Sequence, residues 1–207
     1  MTETLTENIL TLIENPTAII ALVGVLILIV AVIYMRRIEI TTRMLVTISL
    51  MLAMSLILHF LRLYHFPQGG SVTLGAMIPL LLISFRYGAG VGTLTGFVFG
   101  LLNMLQDPFI LHPIQVLFDY PLPYMAMGLA GLFPQHLIFG TALAFVGRFV
   151  CHFISGVVFF ASYAPEGMSP IIYSLITNAM LMIPEAIICC VILKLLPVKR
   201  LVDAMKI

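Results

Sequence analysis

Tryptophan is absent from this 207-residue chain, cysteine occurs three times, and Asp, Glu, Lys and Arg together make up only 9% of it. So little charge excludes an ordinary soluble domain, in which about a quarter of residues are charged. The cysteines, Cys151, Cys189 and Cys190, all fall in apolar segments and read as small buried hydrophobes rather than a disulfide or metal site. No GxxxxGK[ST] occurs, so no P-loop for ATP is present. There is no HExxH, and His59, His65, His112, His136 and His152 lack close ligand spacing,. Ser155 follows His152 by one turn of the same helix, which sets aside an intramembrane hydrolase with the two opposed. The expectation is a protein that is not an enzyme, holds no metal or cofactor, and binds no nucleic acid.

What remains is apolar: 61% hydrophobic residues and a mean hydropathy of +1.15 describe a polytopic all-α membrane protein,. With about 20 apolar residues per span, seven helices are predicted. They cover Ile19 to Tyr34, Met44 to Tyr64, Val72 to Phe85, Gly90 to Leu105, Pro113 to Phe133, Leu137 to Ser162 and Pro170 to Leu196. The first is expected to be an extra helix on an N-terminal extension, residues 1–37. The other six form the membrane domain, residues 38–207. Pro67-Gln68-Gly69-Gly70-Ser71 reads as a tight or partly unwound entry to the short third helix.

Acidic Glu3, Glu7 and Glu14 precede the first helix and Arg36-Arg37 follow it, the reverse of a signal peptide. The helix reads as an uncleaved anchor. Placing Arg36, Arg37 and Arg43 inside also puts Arg86, Lys194, Lys199, Arg200 and Lys206 inside and leaves Arg62 at an outer end. The positive-inside rule therefore predicts an outside N terminus and a cytoplasmic C terminus. The loops around Pro67 to Ser71, Gln106 to His112 and Tyr163 to Ser169 then open outward, where a ligand enters.

Ionisable groups inside such spans are costly and commonly mark a site. Asp119 stands in the apolar run Gln115-Val116-Leu117-Phe118-Asp119-Tyr120-Pro121. It reads either as the counter-ion of a cationic ligand or as a structural partner of Arg148. Arg148, His152, Gly156 and Phe160 recur every four residues with Tyr163 three later, one helix face that is polar, then bare, then aromatic. That stripe fits a flat molecule lying against Gly156, or equally interhelical packing with His152 satisfied by a neighbour. Phe99, Phe109, Phe159, Phe160, Tyr163 and Tyr173 offer π faces for a cation. Tyr173 and Asn178 offer hydrogen bonds to a heteroaromatic ring. Glu185 fits a relay, a partner contact or a snorkelling side chain alike. Ser49 and Ala53 make a small-xxx-small pair suited to a partner helix.

The strings Ile78-Pro79 through Phe85-Arg86-Tyr87-Gly88, His112-Pro113-Ile114-Gln115-Val116-Leu117-Phe118-Asp119-Tyr120, Gly128-Leu129-Ala130-Gly131-Leu132-Phe133, His152-Phe153-Ile154-Ser155-Gly156, and Tyr173-Ser174-Leu175 with Asn178 occur in that order. With Pro67 to Ser71 and Phe159 to Pro165 they resemble the thiamine-specific S components of energy-coupling factor transporters. The resemblance runs from about Arg43 to Leu196. It implies a six-helix bundle whose outward-facing pocket binds thiamine under the loop joining its first two helices. By position it implies that Asp119 engages the aminopyrimidine. Tyr120, His152, Gly156, Phe160, Tyr173 and Asn178 fall on pocket positions, and Phe99 and Phe109 on aromatic positions lining the site.

The resemblance further implies partners: a transmembrane coupling protein, docked through Ser49 and Ala53, and two cytoplasmic ATPase subunits. Where some members place tryptophan this chain has phenylalanine, and Leu74 replaces a second carboxylate. The alternatives are an S component for a thiamine precursor or other heterocycle, or a solitary proton-coupled carrier using Asp119 or Glu185.

Overall fold

The computed structural model describes residues 16–35, 38–66 and 70–205. Glu3, Glu7, Glu14, Arg36, Arg37, Lys206 and Pro67 to Gly69 lie outside the described residues. Helix α1 (Pro16–Met35) is followed by α2 (Thr42–Phe60), a hairpin of β1 (Arg62–His65) and β2 (Ser71–Thr73), α3 (Ile78–Gln106), α4 (Pro113–Asp119), α5 (Pro121–Met125), a 3-10 helix (Ala126–Leu132), α6 (Leu137–Phe159), a 3-10 turn (Ala161–Tyr163), α7 (Pro170–Leu195) and α8 (Val198–Ala204). Among the described residues, α2, α3, α6 and α7 are long and apolar enough to cross a bilayer.

Helix α3 holds two of the predicted helices. Gly88 sits at φ 85° and ψ 175°, a conformation open to glycine at little cost. The break is sharp: in a straight helix Ser84 and Gly92 would be about 12 Å apart along the axis, whereas here a methyl added at Gly92 would overlap the Ser84 side chain. Counting the two arms of α3 separately, and α4, α5 and the 3-10 helix as one broken segment, the expected six-helix core plus α1 is present.

Three boundaries differ from the sequence reading. The second helix stops at Phe60, and Arg62–His65 pairs antiparallel with Ser71–Thr73, with Tyr64 opposite Val72 and His65 opposite Ser71. The third therefore starts at Ile78 rather than Val72. The stretch from Pro113 to Phe133 is not one helix. Pro121 and Pro123 each lack the N–H a continuing helix needs, and the chain ends α4 at Asp119 and restarts at Pro121. Helix α8, not anticipated, folds back so that the Tyr87 hydroxyl donates to the Met205 carbonyl at 3.3 Å.

The broken segment can lie close to α3 because α3 presents glycine at every fourth position. A side chain at Gly96 would strike the Tyr124 carbonyl, and one at Gly100 would come within 2.6 Å of the Tyr120 carbonyl oxygen. Close backbone approach of this kind is a main source of packing in lipid, and here it positions Tyr120 and Tyr124. Gly96→Leu should therefore lower stability by about 1–3 kcal/mol or more, read as an earlier thermal transition in detergent. Exposed Leu105→Ala should leave the transition in place.

Helix α1 packs by a single stripe. Ile20, Leu28 and Ala31 meet a cluster of Phe118, Leu122 and Met125, and Gly24 is buried where a side chain would reach the Phe118 ring at 2.8 Å. Leu22, Leu26, Ile29 and Val30 on its other sides are exposed, as suits a lipid-facing surface.

Candidate substrate-binding site

Helix α4 is short, and its first turn is built to aim its last residue. The His112 ring caps it by accepting from the Ile114 amide at 3.2 Å, and Pro113 occupies the first turn, where a missing N–H costs nothing. Buried Gln115 then uses both ends of its amide. Its Oε1 accepts from the Leu111 amide at 2.9 Å, while its Nε2 donates to the Phe109 carbonyl at 3.0 Å and to the carboxylate of Asp119. One side chain thus joins the loop before the helix to the acid at its end.

Asp119 Oδ1 lies 3.3 Å from His152 Nδ1, with side-chain exposures of 15% and 16% for the acid and the histidine. Tyr120, next in the chain, fixes the same loop from its other side. Its hydroxyl donates to the Asp107 carbonyl at 2.8 Å and accepts from the Phe109 amide at 2.6 Å. The loop so held brings Phe109 parallel to Phe160, with ring centroids 5.7 Å apart and planes at 21°.

These groups face one cavity. Its wall includes Asp119, Tyr120, His152, Gly156, Phe160, Tyr173, Asn178 and Phe109, so eight of the nine residues expected at the pocket are brought together. Phe99 is not on the wall. It is fully buried one layer behind, edge-on to Tyr124 at 4.8 Å and to the His59 ring at 6.2 Å. Tyr163 is also off the wall, because α6 ends at Phe159 and the helical stripe does not extend past Phe160.

Gly156 serves two needs. A methyl there would overlap the Ser174 hydroxyl and come within 3.2 Å of Asn178 Nδ2. It is therefore where α6 and α7 touch, as well as part of the cavity wall. Asn178 Nδ2 is occupied with the carbonyls of Ser174 at 2.9 Å and His152 at 3.3 Å.

Arg148 is not the partner of Asp119. Its Nη1 binds Glu185 Oε2 at 2.8 Å, with side-chain exposures of 5% and 1%, and Glu185 Oε1 accepts from the Thr73 hydroxyl at 2.8 Å. Thr73 Oγ1 accepts in turn from the Ala76 amide at 3.1 Å. Glu185 is therefore neither exposed nor snorkelling but part of a buried network joining α6, α7 and the hairpin. Asp119 is left facing the cavity with no Lys or Arg ion pair among the described residues.

Sequence reasoning missed His59, Asn103, Asp107 and Tyr124 on the wall. The signal was available for Asn103 and Asp107, one turn apart at the end of an apolar helix, and for His59 near the end of another. No group of three or more His, Cys, Asp or Glu able to hold a metal occurs among the described residues. Ser49 and Ala53 are both exposed on α2.

A family model described as "Thiamine transporter protein (Thia_YuaJ)" matches residues 45–204. The chain is 40% identical over 147 residues to the thiamine transporter ThiT of Bacillus subtilis strain 168, covering 63% of this chain and 76% of that one. It is 31% identical over 122 residues to ThiT of Lacticaseibacillus paracasei, covering 49% and 61%. A solved structure of ThiT from Listeria monocytogenes superposes with a TM-score of 0.68 at 23% identity, over 75% of this chain and 92% of that one. That likeness is one of fold.

Proposed function

The chain belongs to the ThiT (Thia_YuaJ) family of thiamine transporters, and from that membership we propose that it is the substrate-binding subunit of an energy-coupling factor importer. The family is one of transporters rather than enzymes, and the apolar helices make this a multi-pass membrane protein. In our reading the cavity opens outward, with the N terminus outside and the C terminus cytoplasmic. Residues 1–37 are an extension of a substrate-binding domain, residues 38–207. Thiamine is the ligand, and a separate transmembrane coupling protein with two ATPase subunits supplies the energy. The coupling protein docks on α2 at Ser49 and Ala53, whose exposure leaves them free for close helix approach.

The observation that carries the ligand assignment is Asp119: a largely buried carboxylate, oriented by Gln115 and His152, with no arginine or lysine paired to it among the described residues. A buried charge without a counter-charge is costly. Thiamine brings a permanently cationic thiazolium and an aminopyrimidine whose N–H groups a carboxylate can accept. The Phe109 and Phe160 rings and the Tyr173 side chain add flat or π surfaces for both heterocycles,.

Calorimetric titration of thiamine into the purified chain, with pyrimidine and thiazole fragments as competitors, tests this reading. Saturable binding displaced by the fragments is expected, and a folded, monodisperse sample that takes up no thiamine would redirect the assignment to another heterocycle. Uptake by the chain alone in proteoliposomes under a proton gradient would favour a solitary carrier. Glu185 is a poor proton site for such a carrier, being held by Arg148.

Because α1 lies outside the matched residues and packs by one narrow stripe, removing residues 1–37 should lower the thermal transition while leaving co-purification with the coupling protein intact. Loss of co-purification would instead make α1 a docking element.

A further inference from the structure

The cavity has a second polar corner, apart from Asp119, formed by three helices. His59 comes from α2, Asn103 from the second arm of α3 and Arg148 from α6. All three line the cavity, and they are only 5%, 5% and 4% exposed. Each carries one buried polar atom without a partner: Nδ1 of His59, Nδ2 of Asn103 and Nε of Arg148. A buried donor left unpaired costs about as much as a lost hydrogen bond or more, so native structures rarely keep such groups idle.

Their surroundings fix these side chains in place. The Tyr124 hydroxyl donates to Asn103 Oδ1 at 2.9 Å, which leaves the amide nitrogen as the free end of Asn103. The Arg148 guanidinium lies 4.9 Å from the centre of the Tyr124 ring and is tied through Nη1 to Glu185. The His59 ring rests edge-on to Phe99, which itself packs on Tyr124. A single aromatic hub, Tyr124 with Phe99, therefore holds all three groups.

The free atoms of Asn103 and Arg148 can only donate, and a neutral imidazole can donate through Nδ1. The positive charge of Arg148 is already matched by Glu185. The corner thus offers donors with little net charge, which suits a neutral acceptor and compensates poorly for a doubly charged phosphate. We propose that His59, Asn103 and Arg148 form a second recognition corner that takes a neutral hydrogen-bond-accepting group of the ligand, a hydroxyl oxygen or a ring nitrogen, and disfavours its phosphate esters. The assignment rests on the reading that this cavity binds thiamine, and it adds specificity-determining residues to that site.

The test is a titration series on the full chain: wild type, Asn103→Leu and His59→Phe, each with thiamine, thiamine monophosphate, an analogue lacking the hydroxyl, and an analogue with a pyrimidine nitrogen replaced by CH. The ligand-free thermal transition of every variant is recorded alongside. Both variants should weaken thiamine about tenfold or more. For one of the two analogues the loss should vanish, because the group the corner contacts is missing from it. Wild type should bind the monophosphate more weakly than thiamine.

Unchanged thiamine affinity in both variants overturns the proposal while leaving the thiamine site standing. So does an equal loss for every ligand accompanied by a lowered ligand-free transition, the mark of a packing role alone. A wild type that binds no thiamine overturns the reading of the cavity and this assignment together.

Discussion

Asp119→Asn should reduce thiamine affinity by two orders of magnitude or more in a calorimetric titration, with little change in the ligand-free thermal transition. The substitution keeps size and shape, and Gln115 Nε2 can still donate to an amide oxygen at position 119. What disappears is the charge. In the wild type that charge faces His152 and the cavity with no Lys or Arg ion pair among the described residues, so its burial penalty is best recovered by a cation in the cavity. Charge-assisted hydrogen bonds are roughly twice as strong as neutral ones, and the amide at position 119 would also present an NH2 to the donors of the aminopyrimidine. Retention of full affinity by Asp119→Asn would mean that Asp119 serves only to orient His152, and the site would have to be rebuilt around the aromatic walls.

Asp119 itself was legible in the sequence because an acid in an apolar run has few bland explanations, and the four-residue recurrence of Arg148, His152, Gly156 and Phe160 places them on one face by helix geometry alone. The structure brings all of these to a common cavity. Partner choice was not legible. Arg148 stands 29 residues after Asp119 and 37 before Glu185 in the sequence, and nothing local says which acid it meets. The answer depends on how α7 crosses α6 at Gly156 and on where β2 places Thr73.

The hairpin was hidden for a related reason: Val72 and Thr73 are buried, apolar-compatible and contiguous with α3 in hydropathy, so composition extended the helix through them. The break at Pro121 was written in the sequence, but a hydropathy window averages over two prolines. Phe99 shows the limit of carrying a position over by resemblance. The ring sits behind Tyr124, shaping the wall without being part of it.

Breaking the Arg148–Glu185 pair should be the most destabilising change outside the glycine contacts. Both side chains are almost fully removed from solvent, and removal of one partner leaves a buried charge uncompensated, a loss of about 3–5 kcal/mol. Glu185→Leu also strands the Thr73 hydroxyl that now donates to the carboxylate, so it should cost more than Arg148→Met, which leaves the Glu185–Thr73 bond in place. The double variant Arg148→Met with Glu185→Leu removes both charges and should recover much of the loss, since apolar replacement of a whole buried pair is often neutral or stabilising.

Thermal transitions of the three variants in detergent measure this, and additive losses in the double variant would show that the two residues act independently. Recovery of stability need not restore binding, because the hydrogen bond from Thr73 to Glu185 joins the hairpin to α7 beside the cavity. If that link sets the position of Ser71 and Gly70 on the cavity wall, the double variant will be stable and still bind thiamine more weakly than wild type. Stability and affinity would then separate in one molecule, through the lost Arg148 donor on the cavity wall as well as the lost link to the hairpin.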